Sequence, residues 1–344
     1  MADRIELSQG AGGSETESFI KKHILPRFHQ ADIEVPLQAL DDAAVVDGIV
    51  FTTDSHTVQP LFFPGGDIGS LAVAGTINDV AVMGAEPMAL SAAMIIEEGL
   101  PFDTIERALD SMASCAHQAG VPIVTGDTKV LEHGALQEMI ITTAGIGRAS
   151  EALQHNMQQL NRGTTWLRDS ALHPGDMIIL SGYIADHGIA LLSFREGYGF
   201  ETEITSDVAP VNGLIQDCLK VGGVAAAKDP TRGGLANTLH EMASKSGVGM
   251  HILEERIPVR EGTMAACEML GIDPYTVGNE GKVVLAVAPD HADGVLQAMQ
   301  HHPLGSDATI IGQVAEEKHI ILETAVGGRR RLEAPLGDPI PRIC

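Results

Sequence analysis

The segment that decides the fold is residues 52–87, which read TTDSHTVQPLFFPGGDIGSLAVAGTINDVAVMGAEP. Over residues 67–83 the apolar side chains recur at the three- and four-residue spacing of a helix, and Gly84 predicts its end. Residues 45–53, on one side of that helix, are rich in β-branched side chains, and residues 89–96 on the other side form an apolar run. A strand, a helix and a strand in succession predict an α/β architecture around this segment.

The same alternation continues along the chain. It predicts a first domain over residues 1–150 and a second α/β domain over residues 170–327. Residues 150–172 are polar and show little periodicity, so we place the domain junction there. The second domain is predicted to begin with a strand at Met177–Leu180.

Composition excludes several classes of protein. The chain has 344 residues, of which 44% are hydrophobic, and a formal net charge of −24, which disfavours nucleic-acid binding. No apolar run approaches the ~20 residues that cross a membrane, and the N-terminus does not resemble a signal peptide. The 4 cysteines lack CxxC spacing, which favours free thiols in a reducing cytoplasm over disulfides or structural zinc.

Acidic residues stand beside small residues at predicted strand ends and turns, where α/β folds bind ligands. The motifs are DDAA at 41–44, TDS at 53–55, ND at 78–79, GDT at 126–128 and DPTRGG at 229–234. Singly, each aspartate suits a turn or a helix cap. Together they predict a site where carboxylates hold Mg²⁺ around a triphosphate.

Other candidates flank these motifs. The loop Gly10–Gly13 precedes a predicted helix and is able to cradle a phosphate or simply to turn the chain. Lys129 follows the GDT motif and is either an electrophilic group or a solvated loop residue. Glu280, in the glycine-rich GNEG turn, is a candidate general base or a plain turn residue. Neither a P-loop motif nor GxGxxG in a strand–helix context is present.

The terminal segment, residues 328–344, differs in character because it is rich in proline and ends on Cys344. Such a segment favours extended backbone, and about 14 extended residues reach on the order of 45 Å. It is therefore predicted to be a flexible tail whose thiol reaches a distant site, although a frayed end without a role fits the composition equally well.

These motifs together resemble the HypE family of NiFe-hydrogenase maturation factors, the carbamoyl dehydratases. The resemblance runs nearly end to end, and the 52–87 block and the terminal PRIC at 341–344 are its most specific parts. The other matching stretches are DDAAVV at 41–46, VTGDTKV at 124–130, DPTRGGLA at 229–236 and GNEGK at 278–282. The aspartate motifs belong to the wider superfamily of aminoimidazole ribonucleotide synthetase, selenophosphate synthetase and thiamine monophosphate kinase.

The resemblance implies a two-domain synthetase-like fold. Its N-terminal domain binds ATP and forms a β-barrel shared by two copies in a homodimer. ATP and Mg²⁺ are the implied cofactors. The implied metal ligands are Asp42, Asp79, Asp127 and Asp229. The implied ATP-binding residues are Gly12, Gly13, Asp54, Asn78, Asp79, Asp127 and Asp229.

The resemblance also implies the chemistry and places Cys344, Glu280 and Lys129 at its centre. A carbamoyltransferase, HypF, loads a carbamoyl group onto Cys344, and ATP drives its dehydration to a thiocyanate. The cyanide then passes to iron on a HypC–HypD complex. One departure separates the chain from selenophosphate synthetases, since the loop at 8–13 carries neither the cysteine nor the lysine of those enzymes.

Two alternatives remain open at the level of sequence. The chain is either another small-molecule kinase or synthetase of the superfamily with a passenger tail, or a scaffold that presents a thiol to partners without using ATP.

Overall fold

The structure is a computed structural model, and it describes residues 4–10, 12–28, 32–198, 204–335, 340 and 343–344. No helix in these ranges is long and apolar enough to cross a membrane.

A five-stranded mixed sheet forms the N-terminal domain, in the spatial order β1-β2-β7-β5-β6. All its neighbours are antiparallel except β5 and β6, which run parallel. The elements in chain order are α1 (Gly13–Phe19), β1 (Ala44–Val46), β2 (Ile49–His56), β3 (Phe62–Phe63), β4 (Gly66–Asp67), α2 (Ile68–Val82), β5 (Ala85–Glu97), α3 (Phe102–Ala119), β6 (Ile123–Leu131) and β7 (Met139–Ala149). The described part of the sheet stays open and forms no closed barrel.

Helix α2 is the central element that the opening motif predicts. Asp67 caps it, because its Oδ1 accepts hydrogen bonds from the Gly69 and Ser70 amides at 2.7 and 3.0 Å. Nearly every residue of the helix is buried, since α2 lies between the first sheet and the second domain. This position brings the C-terminal part of the helix, including the half-buried Asp79, against both domains.

A seven-stranded sheet forms the second domain, in the order β14-β13-β10-β12-β8-β11-β9, with β10 and β13 the parallel pair. Its elements in chain order are α4 (Glu151–Leu160), β8 (Met177–Leu180), α5 (Asp186–Glu196), α6 (Asn212–Val221), β9 (Val224–Lys228), α7 (Gly234–Ser246), β10 (Gly249–Leu253), α8 (Glu261–Leu270), β11 (Val284–Val287), α9 (Ala292–His301), β12 (Thr309–Ala315), β13 (Ile320–Glu323) and β14 (Arg329–Arg331).

Buried side chains cover both faces of this sheet. One apolar cluster joins α4, α6 and α9 to the end of α2, and a second lies under α7. Because α2 belongs to the first cluster, the two domains share one continuous core rather than meeting through a thin polar contact.

Two features of the fold were not expected from the sequence. The stretch 150–172 contains the helix α4, which Ser150 caps by accepting a hydrogen bond from the Leu153 amide at 2.9 Å. The terminal segment is not free from 328 onward, since Arg329–Arg331 pair with β13 as an edge strand. Its last described residues are also packed, with Ile340 and Ile343 only 1% and 2% exposed.

Candidate active site

A small polar cavity of about 200 Å³ lies where α2, β2 and the loop after β9 meet the end of the chain. Its lining consists of Asp42, Thr52, Thr53, Asp54, Gly75, Asp79, Asp229, Thr231, Arg232, Glu280 and Cys344. Residues that are far apart in sequence, from both domains and the terminus, therefore share one cavity.

Three aspartates form the acidic centre of this cavity. Asp42 lies just before β1, Asp79 on α2 and Asp229 directly after β9. One carboxylate oxygen of each lies within 4.8 Å of those of the other two, a separation that one divalent cation is able to bridge. Hard carboxylate oxygens are what Mg²⁺ prefers, so this donor set fits the predicted metal.

The electrostatics of the three aspartates support the same reading. Burial raises the pKa of Asp42 to about 7 and that of Asp229 to about 6. Burial, followed by the nearby carboxylates, raises the pKa of Asp79 well above its ordinary value. Charging all three together is therefore costly without a cation, and a bound cation would offset that cost.

Lys228 is a buried cation beside this cluster. Its Nζ lies 2.6 Å from Asp42 Oδ1 and 3.2 Å from carboxylate oxygens of both Asp169 and Glu241. Burial opposes the charge on Lys228, yet Asp169, Asp42 and Glu241 together raise its pKa well above the ordinary value. The lysine holds Asp42 in place and ties the N-terminal domain to β9.

Two further aspartate contacts complete the acidic wall. Thr52 Oγ1 lies 3.1 Å from Asp79 Oδ2 and donates to the Asp42 carbonyl at 2.9 Å. Asp54, on the same strand, pairs with the buried His56, with 3.4 Å between Asp54 Oδ2 and Nε2. The side chains of Thr52, Asp54 and His56 thus lie on one face of strand β2, as its period of two requires.

Glu280 and Arg232 line the cavity beside the acidic centre. Glu280 is 3% exposed, and its Oε1 finds no hydrogen-bond partner within the described part of the chain. Burial raises its pKa well above the ordinary value, so this carboxyl binds a proton tightly, as a base for a weakly acidic N–H must. The charge at Cys344 is the largest cause of the raised pKa of Arg232, which indicates that the guanidinium faces the chain end.

Cys344 completes the cavity, and two body residues hold the chain end there. Its carbonyl oxygen accepts a hydrogen bond from Thr57 Oγ1 at 3.3 Å, and the carbonyl of Ile343 lies 2.9 Å from His187 Nε2. The other cysteines of the chain are all buried elsewhere.

The remaining predicted nucleotide ligands have other contacts. Asn78 Nδ2 donates to the carbonyls of Ala209 and Glu280 at 3.1 and 3.3 Å, and its Oδ1 accepts from the Val211 amide at 2.8 Å. This side chain therefore joins α2 to the second domain. A Cβ on Gly12 would lie 2.7 Å from Cβ of Arg232, so the glycine lets the N-terminal loop pass close to that arginine. Gly13 is buried and lines a separate small cavity beside α7.

Asp127 and Lys129 lie away from the acidic centre. Both are on the edge strand β6, with their side chains 61% and 66% exposed, and they form an ion pair of 2.8 Å. Within one chain they are not brought to the cavity.

Sequence reasoning did not single out Arg232, Lys228 or His56. Arg232 lies inside the DPTRGG motif and Lys228 directly before it, so basic residues on both sides of a predicted metal aspartate were the available signal. His56 carried no spacing signal, because only the folded strand brings it to Asp54.

Two family models together match most of the chain. The model of the AIR synthase related protein N-terminal domain matches residues 40–149, and that of the C-terminal domain matches residues 173–324. Carbamoyl dehydratase HypE of Rhizobium leguminosarum bv. viciae is 47% identical, over 99% of this chain and 95% of its own length. The chain belongs to the HypE family.

Solved HypE structures have the same fold. The crystal structure of a HypE–HypF complex contains a chain that is 44% identical, with a TM-score of 0.84 over 93% of this chain and 99% of that one. A HypE crystal structure in complex with ATP is 39% identical, with a TM-score of 0.80 over 99% and 100%. Membership of the HypE family within the AIR synthase superfamily, inferred above from sequence motifs, is thereby confirmed.

Proposed function

We propose that this chain is an ATP-dependent carbamoyl dehydratase that acts on its own last residue. In this reaction the S-carbamoyl group on Cys344 is converted into a thiocyanate, and the cyanide serves as a ligand to the iron of a NiFe-hydrogenase. The observation that carries the proposal is that Cys344 shares one cavity with Asp42, Asp79, Asp229 and Glu280.

An amide oxygen is a very poor leaving group, which is why the reaction needs a nucleotide. The carbamoyl oxygen attacks the γ-phosphorus of ATP, ADP departs, and the nitrogen loses one proton, which leaves an S-bound O-phosphoimidate. The second N–H proton is then removed as the C–O bond breaks, so that phosphate leaves and the C≡N bond forms. Water is thus removed from the carbamoyl group, and its oxygen ends in phosphate.

The residues of the cavity suit these steps. Glu280, buried and with one oxygen unpartnered within the described chain, is the proposed base for the N–H protons. Arg232 is positioned to bind negative charge that develops near Cys344. Asp42, Asp79 and Asp229 would hold Mg²⁺, which when bound neutralises charge on the transferred phosphoryl group.

Asp127 and Lys129 would reach an active site only in a homodimer, in which each copy contributes them to the cavity of the other. Within the described part of the chain, strand β6 pairs only with β5, and with α3 it borders an open cavity of about 1010 Å³. Val124 and Val130 on that strand are both 64% exposed. We infer that two copies join these strands into a shared barrel, which would bring Asp127 and Lys129 of one copy toward the cavity of the other.

The proposed partners follow from the reaction. A carbamoyltransferase, HypF, would load Cys344, and the HypE–HypF complex among the similar structures supports that pairing. A HypC–HypD complex would take the cyanide, in the cytoplasm where thiols remain reduced. The tail would have to leave the cavity for both exchanges, so we propose that the docked position is one of two that it occupies.

Phosphate release from carbamoylated chain tests the proposal against the alternatives. We expect about one phosphate per carbamoylated Cys344, and none above background from Cys344→Ala, with Cys218→Ala as the control because Cys218 is buried in α6. Turnover of ATP on a free substrate after deletion of residues 335–344 would favour a small-molecule kinase. Cyanide-ligand formation that survives Asp79→Asn would favour a scaffold without ATP chemistry.

A further inference from the structure

His187 is a fully buried histidine that contacts the chain end but lies outside the acidic cavity. It is 0% exposed at the start of α5, with Nε2 2.9 Å from the Ile343 carbonyl oxygen and Nδ1 2.8 Å from Ser206 Oγ. Phe63 packs edge-on against its ring at 5.6 Å between centroids. Both ring nitrogens are therefore satisfied, and the imidazole is fixed in orientation. With Nε2 as the donor, the ring bonds the backbone of the residue just before Cys344.

Two glycines beside this histidine make room for the side chains of the terminal segment. A Cβ on Gly278 would lie 2.5 Å from Ile343 Cδ1. A Cβ on Gly188 would lie 2.5 Å from Val277 Cγ1 and 3.1 Å from Ile340 Cδ1. Both isoleucines are buried in the apolar cluster that includes α5 and the first domain. The body thus offers two shaped apolar sites, three residues apart along the tail, with a hydrogen-bond donor beside the second.

We propose that His187 is a positioning residue that holds the docked tail in register, with Ile340 and Ile343 as the side chains that the body recognises. This inference rests on the proposed function for its purpose, because a fixed register is needed to keep Cys344 in the acidic cavity during dehydration. His187 touches neither the reacting atoms nor the aspartates, and it acts through the Ile343 peptide.

A positioning role predicts opposite effects on two steps. Carbamoylation by a separate protein requires Cys344 to leave the cavity, whereas dehydration requires it to stay there. Weakening the docked state therefore slows dehydration and leaves carbamoylation equal or faster. A general folding defect would slow both steps, so the split separates the two explanations.

The test uses the full chain with His187→Leu, which keeps an apolar volume but loses both hydrogen bonds, and with Ile343→Ala, which changes only the tail. His187→Gln supplies an amide donor in place of the imidazole, so it should restore the docked tail that His187→Leu loses. His240→Gln is the matched control, since His240 Nε2 also contacts a terminal-segment carbonyl, that of Leu332 at 2.6 Å, but His240 does not line the cavity that contains Cys344.

The probe is iodoacetamide, and the readout is the alkylation rate of Cys344 in chain without ATP or partner. Loss of one buried hydrogen bond or of most of one buried side chain should raise this rate roughly tenfold in His187→Leu and Ile343→Ala, and His240→Gln should match the unmodified chain. ATP-dependent loss of water from preloaded carbamoyl chain should fall by a similar factor, while the carbamoylation rate should not fall.

Unchanged alkylation in both variants, or parallel loss of carbamoylation and dehydration, would overturn the positioning role. If the unmodified chain itself fails to lose water with ATP, the proposed function fails, and the alkylation rates still decide whether His187 holds the tail. Ile343→Ala decides the matter if His187→Leu does not fold.

Discussion

Replacing Asp79 by asparagine tests whether repulsion between the three clustered carboxylates lowers the stability of the folded chain. The oxygens of Asp42, Asp79 and Asp229 lie within 4.8 Å of one another. Two unit charges at about that distance repel by about 3 kcal/mol at an effective dielectric constant of about 20. Asparagine at position 79 mimics the neutral carboxyl in shape and cannot ionise, so the variant avoids this repulsion.

The sign of the effect follows from proton linkage. Burial raises the pKa of Asp79 in the folded chain well above the ordinary value of 3.8, so folding takes up a proton on this residue. Stability of the unmodified chain without Mg²⁺ is therefore greatest below the unfolded pKa and falls as pH rises toward the folded pKa. The variant lacks this loss, and its advantage should grow by up to about 1.4 kcal/mol for each pH unit.

The assay is thermal unfolding with and without Mg²⁺-ATP at about pH 5 and about pH 7. Without ligand, Asp79→Asn should be more stable than the unmodified chain. The difference in their free energies of unfolding should grow by about 2 kcal/mol from about pH 5 to about pH 7, a value reduced for solvent screening in the open cavity. Mg²⁺-ATP should stabilise the unmodified chain much more than the variant, because the variant lacks one metal ligand. Asp110→Asn, on the exposed face of α3, is the control. A gap that does not change with pH, or a full Mg²⁺-ATP shift in Asp79→Asn, would rule out this electrostatic role of Asp79.

Three further predictions concern single residues around the cavity. Gly12→Ala should lower both melting temperature and phosphate release, because φ is 77° at Gly12 and the added carbon would lie 2.7 Å from Arg232. Gly10→Ala is the control, because its added carbon would meet nothing within 4 Å, and it should change neither quantity. Glu280→Gln should keep ATP binding but slow dehydration about 100-fold by mass spectrometry, and normal dehydration would remove its role as base. Mixing Lys129→Ala chains with Cys344→Ala chains should restore dehydration if the lysine acts across a dimer, and inactive mixtures would contradict that arrangement.

The periodic parts of the chain were predictable because their packing follows a simple rule. Helix α2 was placed within a residue of its observed ends, Ile68–Val82, and β8 was predicted with its exact bounds, Met177–Leu180. Helix α4 was missed because it is polar on the side away from the second domain, which leaves a short apolar pattern. The strand Arg329–Arg331 was missed because three arginines resemble a solvated run until β13 supplies a partner.

The site was predictable in its chemistry more than in its geometry. Aspartates beside small residues pointed to Asp42, Asp79 and Asp229, which the fold brings together. The same reasoning grouped Asp127 with them, although the single chain leaves Asp127 exposed on an edge strand. Sequence spacing does not reveal which strand end faces which cavity, and it does not reveal contacts that need a second copy.

The docked terminus was also beyond a sequence argument. Proline spacing indicated an extended segment. The docking of this segment depends on the space left by Gly188 and Gly278, which have no side chain. The sequence contains no pattern that shows why a glycine is needed at these two positions. The hydrogen bond from His187 adds a contact between residues 156 positions apart.

Intact-mass measurement of the chain follows the proposed reaction on Cys344 itself. The chain is incubated with the carbamoylating partner and carbamoyl phosphate, and Mg²⁺-ATP is then added. We expect a gain of one carbamoyl group on Cys344, followed on addition of ATP by the loss of one water from the same residue. A carbamoyl mass that persists after ATP has been consumed, or a loss of water that also occurs in Cys344→Ala, would contradict it.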